Sequence, residues 1–156
     1  VRSARDMHQA VLASVGQADV LVATAAVADW RVEQAADQKI KKDGSGQVPT
    51  LRFTENPDIL AEVAASERAR RGRLFCVGFA AESHDLLRHA QEKRQRKAVP
   101  LLVGNIGPAT FGQDDNALLL VDANGHTELP RADKLSLARQ LVQDIARRLG
   151  ASASAA

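Results

Sequence analysis

Asp29 closes a run of small residues, Ala25, Ala26, Val27 and Ala28, that directly follows a short apolar stretch. A carboxylate so placed accepts hydrogen bonds from ribose hydroxyls or holds a divalent ion, and the small neighbours let a ligand approach the backbone. A plain turn aspartate after a strand has the same sequence signature. Further along, Lys39, Lys41 and Lys42 precede Gly44 and Gly46. Such a loop can close over a phosphate-bearing substrate and set an ammonium against developing negative charge, or it is simply a solvated charge run. In the stretch Asn56, Pro57, Asp58, Ile59, asparagine serves as N-cap and proline as the first helical residue. Free N–H groups at that helix start suit an anion, although capping alone also accounts for the residues. Residues 77–82 (VGFAAE) repeat the small-residue pattern, with Gly78 leaving room and Phe79 offering a ring to a planar group or filling the core. Lys93 and Lys97 stand at i, i+4 on one helical face, where like charges repel by a few tenths of a kcal/mol. An anion between them relieves that repulsion.

Other chemistries lack their residues. His8, His84, His89 and His126 show no metal-ligand spacing, no metal ligands are assigned, and the single cysteine, Cys76, has no partner for a disulfide or a zinc site. GxSxG, Walker A and GxGxxG motifs are absent from these residues. Lys plus Arg is 21 against 19 Asp plus Glu, a net charge of +2, too near neutral for a chain built mainly to coat nucleic acid. One Trp, four Phe and no Tyr give no stacking platform for single strands, so no nucleic-acid partner is expected. No membrane span or signal segment is legible, and a cytoplasmic location is expected.

The elements that must position these residues follow from patterning over 156 residues. Residues 3–15 read as a helix capped by Ser3 and ended by Gly16, and residues 18–23 as a buried parallel strand. Residues 30–50 read as a mobile surface loop, and residues 51–54 as a short strand before a helix running from Asn56 to about Arg70. A second buried strand over 74–79 and a helix to about Ala98 come next. Strands over 101–103 and 117–121 follow, then a helix over 131–149 stopped by Gly150. The expected organisation is one domain over residues 1–150 with a disordered tail over 151–156. Its class is α/β, a Rossmann-like, mostly parallel sheet flanked by helices, with ligands at the carboxyl ends of the strands.

Taken in order, residues 25–30 (AAVADW), 39–42 (KIKK), 56–60 (NPDIL), 77–82 (VGFAAE) and 93–97 (KRQRK) resemble the phosphopantothenate–cysteine ligase family, the synthetase part of the bacterial bifunctional coenzyme A biosynthesis protein. The resemblance implies a homodimer that joins 4′-phosphopantothenate to cysteine, with CTP activating the carboxylate as an acyl-cytidylate and Mg²⁺ assisting. It implies a catalytic role in activation for Lys39, and nucleotide contacts for Asp29, Lys39, Asn56, Pro57, Asp58, Ile59, Phe79, Lys93 and Lys97. A flap over residues 41–47 is also implied. FMN would belong only to a phosphopantothenoylcysteine decarboxylase domain fused to, or assembled with, the ligase outside this chain.

The chain departs from the family at Lys97-Ala98-Val99-Pro100, where Lys-Asn is usual, and at Gly104-Asn105-Ile106. The family's Ser-Ser-Gly segment and the first strand are missing, so the expectation is a fragment that begins inside the domain and has reduced or no activity alone. Two rivals share the layout: a fragment of a nicotinamide-dependent reductase, and a non-enzymatic dimerisation or scaffold module with a basic helix for acidic partners.

Overall fold

A computed structural model describes residues 1–36, 38, 40–41, 44, 46, 48, 50–106 and 112–153. The first helix, α1 (Ala4–Ser14), begins as expected at Ser3. The Ser3 hydroxyl accepts from Asp6 N at 3.1 Å while the Asp6 carboxylate accepts from Ser3 N at 3.0 Å. A 3₁₀ turn, Val15–Gln17, leads into β1 (Val20–Ala23).

Residues 30–50 are not all loop, because β2 (Trp30–Val32) pairs antiparallel with β3 (Phe53–Glu55) in a ribbon apart from the main sheet. The helix expected from Asn56 to Arg70 is two helices, α2 (Ile59–Ala64) and α3 (Glu67–Arg70), broken where Ser66 caps the second. Asn56 is not the cap of α2. Asp58 takes that place and accepts from Ala61 N at 3.1 Å, which leaves Pro57 ahead of the helix rather than in its first turn.

The remaining elements are β4 (Phe75–Glu82), α4 (Leu86–Lys97), β5 (Leu101–Ile106), β6 (Asp115–Val121), β7 (His126–Asp133) and α5 (Lys134–Ala153). Strand β7 has no counterpart in the sequence reading. Its burial is mixed, so neither an apolar run nor a clean alternation marks it, and it pairs instead with β6 across the turn around Gly125. Helix α5 extends to Ala153, three residues into the expected tail, and the rest of that tail lies outside the described residues.

Five strands form one sheet in the order β1-β4-β5-β6-β7. The pairs β1·β4 and β4·β5 are parallel, and β6 and β7 extend the sheet antiparallel. The α/β, Rossmann-like class expected from the sequence is the class observed. Both faces are buried at the centre of the sheet, along β4, β5 and β6, whereas β1, read from its apolar run as a buried strand, lies at an edge with no fully buried residue and with Val22 exposed. On one face Cys76, Ala80, Leu102, Leu119 and Val121 pack against Val11, Ile59, Leu60, Leu86 and Leu87 of the helices. On the other, Val77, Leu101, Val103, Leu118 and Leu120 pack against Leu137, Leu141 and Ile145 of α5. Each fully buried leucine or valine contributes about 1.5–3 kcal/mol relative to exposure.

Two features yield measurable consequences. Ala98 closes α4 in the left-handed region at φ 52°, where an L-residue is strained and glycine is not. Replacing the exposed Ala98 by glycine is expected to raise stability by about 1 kcal/mol in urea titration, and a loss would contradict the strain.

At the far end of the sheet Arg148 joins Asp144 and Asp122, at 2.5 Å each, tying α5 to the turn after β6. Burial opposes the Asp122 charge, but the Arg148 hydrogen bond, the N–H groups of the turn and the Arg148 charge outweigh it and hold the carboxyl below its usual 3.8. A depressed folded-state value means that this stabilisation is present above the unfolded value and is lost as pH falls through the folded one. Asp122→Asn is therefore expected to cost about 1 kcal/mol at neutral pH. The difference in Tm from the parent should vanish on acidification below 3.8, and a difference independent of pH would contradict the pairing.

Candidate functional site

In the parallel part of the sheet β1 stops at Ala23, opposite Gly78, whereas residues 79–82 of β4 continue in register with residues 103–106 of β5. This leaves a step in the sheet immediately beyond β1, at the carboxyl ends where α/β sheets hold their ligands. The segment after β1 is pinned by the turn that precedes α2. Asn56 Nδ2 donates to Ala28 O at 2.8 Å, and Asn56 N donates to Asp29 O at 2.8 Å. Asn56 thus acts as a clamp between two distant stretches of chain.

Arg31 adds a second strap, donating through Nη1 to Glu55 O and to Asn56 Oδ1 at 3.4 Å. Sequence reasoning missed Arg31, since it falls in the stretch read as loop and belongs to no motif. Alternation within a strand was the one available signal, and three residues are too few to carry it.

Asp58, beside the clamp, receives Lys97 Nζ from the last turn of α4. Burial opposes the Asp58 charge, yet hydrogen bonds from Lys97 and Ala61 N, with the charges of Lys97 and Arg96, hold the carboxyl below its usual value. The anion expected between Lys93 and Lys97 is therefore supplied to Lys97 by Asp58. Lys93 lies one turn earlier on α4 and is half-buried.

The other predicted residues are placed differently. Asp29 is exposed, with its backbone held and its carboxylate toward solvent. Pro57 is half-buried, and Ile59 packs into the core under α2. Phe79 packs on the α5 face with Val77 and Leu101, so its ring is core. The room left by Gly78 is filled from within: a Cβ there would meet Leu60 Cδ2 at 2.6 Å and Leu102 Cδ1 at 2.8 Å. The space beside this glycine is taken by leucine side chains rather than kept for a ligand. Lys39 lies outside the described residues, as do Lys42 and most of the expected flap. The structure therefore brings together Asp29 with Asn56 and Asp58 with Lys97.

Residues 1–149 match the family described as the DNA/pantothenate metabolism flavoprotein C-terminal domain. The chain is similar to the coenzyme A biosynthesis bifunctional protein CoaBC of Haemophilus influenzae, at 39% identity over 150 residues, covering 95% of this chain and 36% of that protein. The CoaBC protein of Escherichia coli K12 is 39% identical over 152 residues, covering 95% and 37%. The chain thus spans little more than a third of the length of these relatives. Among solved structures, the C-terminal domain of a CoaBC protein superposes with a TM-score of 0.73 at 26% identity, covering 96% of this chain and 64% of that one. A DNA/pantothenate metabolism flavoprotein from Streptococcus pneumoniae gives 0.72 at 17% identity, covering 95% and 71%, a likeness of fold.

These findings correct the expected family name and what came with it. The matched family is described by a flavoprotein and not by a ligase, and the relatives are named for coenzyme A biosynthesis without mention of CTP or Mg²⁺. The phosphopantothenate–cysteine ligase assignment, the acyl-cytidylate reaction and the CTP and Mg²⁺ cofactors are overturned by these matches. The group that the family's name brings instead is a flavin. The surface carries hollows of about 470 Å³ at Asp85, Leu86, Leu87, Arg88 and Gln91, and of about 450 Å³ at Val32, Glu33, Gln34, Thr50, Leu51 and Arg52. Neither hollow is lined by a ring for stacking or a glycine turn for phosphate, so neither fits a flavin. Over 149 of its residues, this chain belongs to the DNA/pantothenate metabolism flavoprotein C-terminal domain family.

Proposed function

We propose that the chain binds a phosphopantothenate–cysteine conjugate at the step beyond β1, as part of a cytoplasmic bifunctional enzyme of coenzyme A biosynthesis. The observation that carries this reading is the Asn56 clamp on Ala28 and Asp29, set beside the Asp58–Lys97 pair. Held backbone beyond β1 offers amide groups to a ligand that itself carries amides, and Asp29 can accept from its hydroxyl. Lys93 and, from the preceding segment, Lys39 and Lys41 are the proposed cations for its phosphate. Asn56, Pro57, Asp58 and Lys97 position this ledge, and 4′-phosphopantothenate and cysteine are the two halves of the proposed ligand. A likeness of fold supports the choice: a Cab2 mutant solved in complex with phosphopantothenate-cysteine superposes with a TM-score of 0.65 at 16% identity, covering 86% of this chain and 45% of that one.

The β2–β3 ribbon supports a homodimer in the same reading. Its register sets Trp30, Val32, Phe53 and Glu55 on one face, and Trp30 and Phe53 remain 57% and 61% exposed. Large apolar side chains held on a two-stranded ribbon gain by pairing with a second copy. Among the described residues no helix is long and apolar enough to cross a membrane.

Calorimetric titration with the conjugate and with its dephosphorylated form tests the ligand. The phosphorylated form should bind more tightly, and Lys93→Ala should weaken it about tenfold while sparing the other. Equal affinity for both forms, or no binding, contradicts the proposal. For the dimer, sedimentation velocity should give twice the chain mass, falling to one chain mass in Trp30→Asp and Phe53→Asp. A monomeric parent chain contradicts it.

A further inference from the structure

We propose that His84, Asp85 and His89, at the turn between β4 and α4, form a binding site for a late first-row divalent cation such as Zn²⁺. One ligand-type atom from each of the three lies within 4.8 Å of the others. The two imidazoles meet edge to face, with ring centres 5.2 Å apart and planes at 77°. His89 Nδ1 is buried and makes no hydrogen bond, although Glu82 Oε2 lies 3.5 Å away. A carboxylate beside Nδ1 orients the ring and leaves Nε2, the nitrogen next to Arg88, as the ligand atom. Ser83 Oγ contacts His84 Nδ1 at 2.8 Å, which orients that ring and leaves its Nε2 as the ligand atom.

Two imidazoles and one carboxylate favour zinc, nickel or copper over magnesium or calcium, which prefer oxygen, and a fourth position stays open to water or a ligand donor. A charge already stands at this cluster. Arg88 donates to Asp85 Oδ2 at 3.3 Å and to Glu92 Oε1 at 3.1 Å, and contacts His89 Nε2 at 2.9 Å. Its side chain is 59% exposed, and guanidinium and metal ion compete for the same place.

Zinc chloride titration of the chain, followed by calorimetry, tests the site. One ion per chain is expected, with affinity falling roughly 100-fold in the His84→Ala/His89→Ala double variant. Arg88→Ala should bind zinc about tenfold more tightly, because the competing cation is gone. Absence of zinc binding in the parent chain, or equal binding in the double variant, overturns the proposal. If circular dichroism shows the double variant unfolded, the Arg88→Ala result decides, and unchanged or weaker binding there overturns it.

Discussion

Everything in this fold hangs on β4, a central strand that must satisfy a different neighbour on each side and each face. Its odd-numbered residues Phe75, Val77 and Phe79 face α5, while Cys76 and Ala80 face α2 and α4. Side-chain size along the second face sets how near the helices come. Gly78 admits Leu60 from α2 against Leu102 below it, and Gly104 on the neighbouring β5 does the same for Leu86 from α4. A Cβ at either position would displace these leucine side chains, and close-packed interiors do not absorb extra volume without strain.

The candidate site inherits its geometry from that close approach. With α2 lodged over Gly78, the turn carrying Asn56 and Asp58 is held near the end of β1, and Asn56 can reach Ala28 and Asp29. With α4 lodged over Gly104, Lys97 comes within reach of Asp58. Packing on one face of the sheet is thus converted into polar positioning at its edge. A separate link, His8 to Glu62 at 2.7 Å, ties α1 to the same assembly.

Much of this architecture was legible in the sequence. Apolar runs around Val77 and Leu102 announced strands buried on both faces, and Ser3 and the periodicity leading to Leu141 and Ile145 announced helices. What failed did so for physical reasons. Asn-Pro looked like a helix start, but a long-range bond to Ala28 outcompeted local capping and shifted the start to Asp58. Gly78 and Phe79 looked like ligand-facing residues because composition cannot tell a gap kept for a ligand from one filled by Leu60. Strands β2 and β7 were missed because pairing partners, rather than their own patterning, define them. Of the expected site, Asp29 with Asn56 and Asp58 with Lys97 come together, while Phe79 and Ile59 serve the core.

The central claim, that packing over β4 builds a ligand ledge beyond β1, is tested most directly by amide hydrogen exchange with and without the phosphopantothenate–cysteine conjugate. The account predicts added protection in residues 24–29 and 56–58 and along the Lys93 face of α4, with α5 and the β6–β7 hairpin unchanged. Protection confined to α5, to the β6–β7 hairpin or to the β2–β3 ribbon would contradict it.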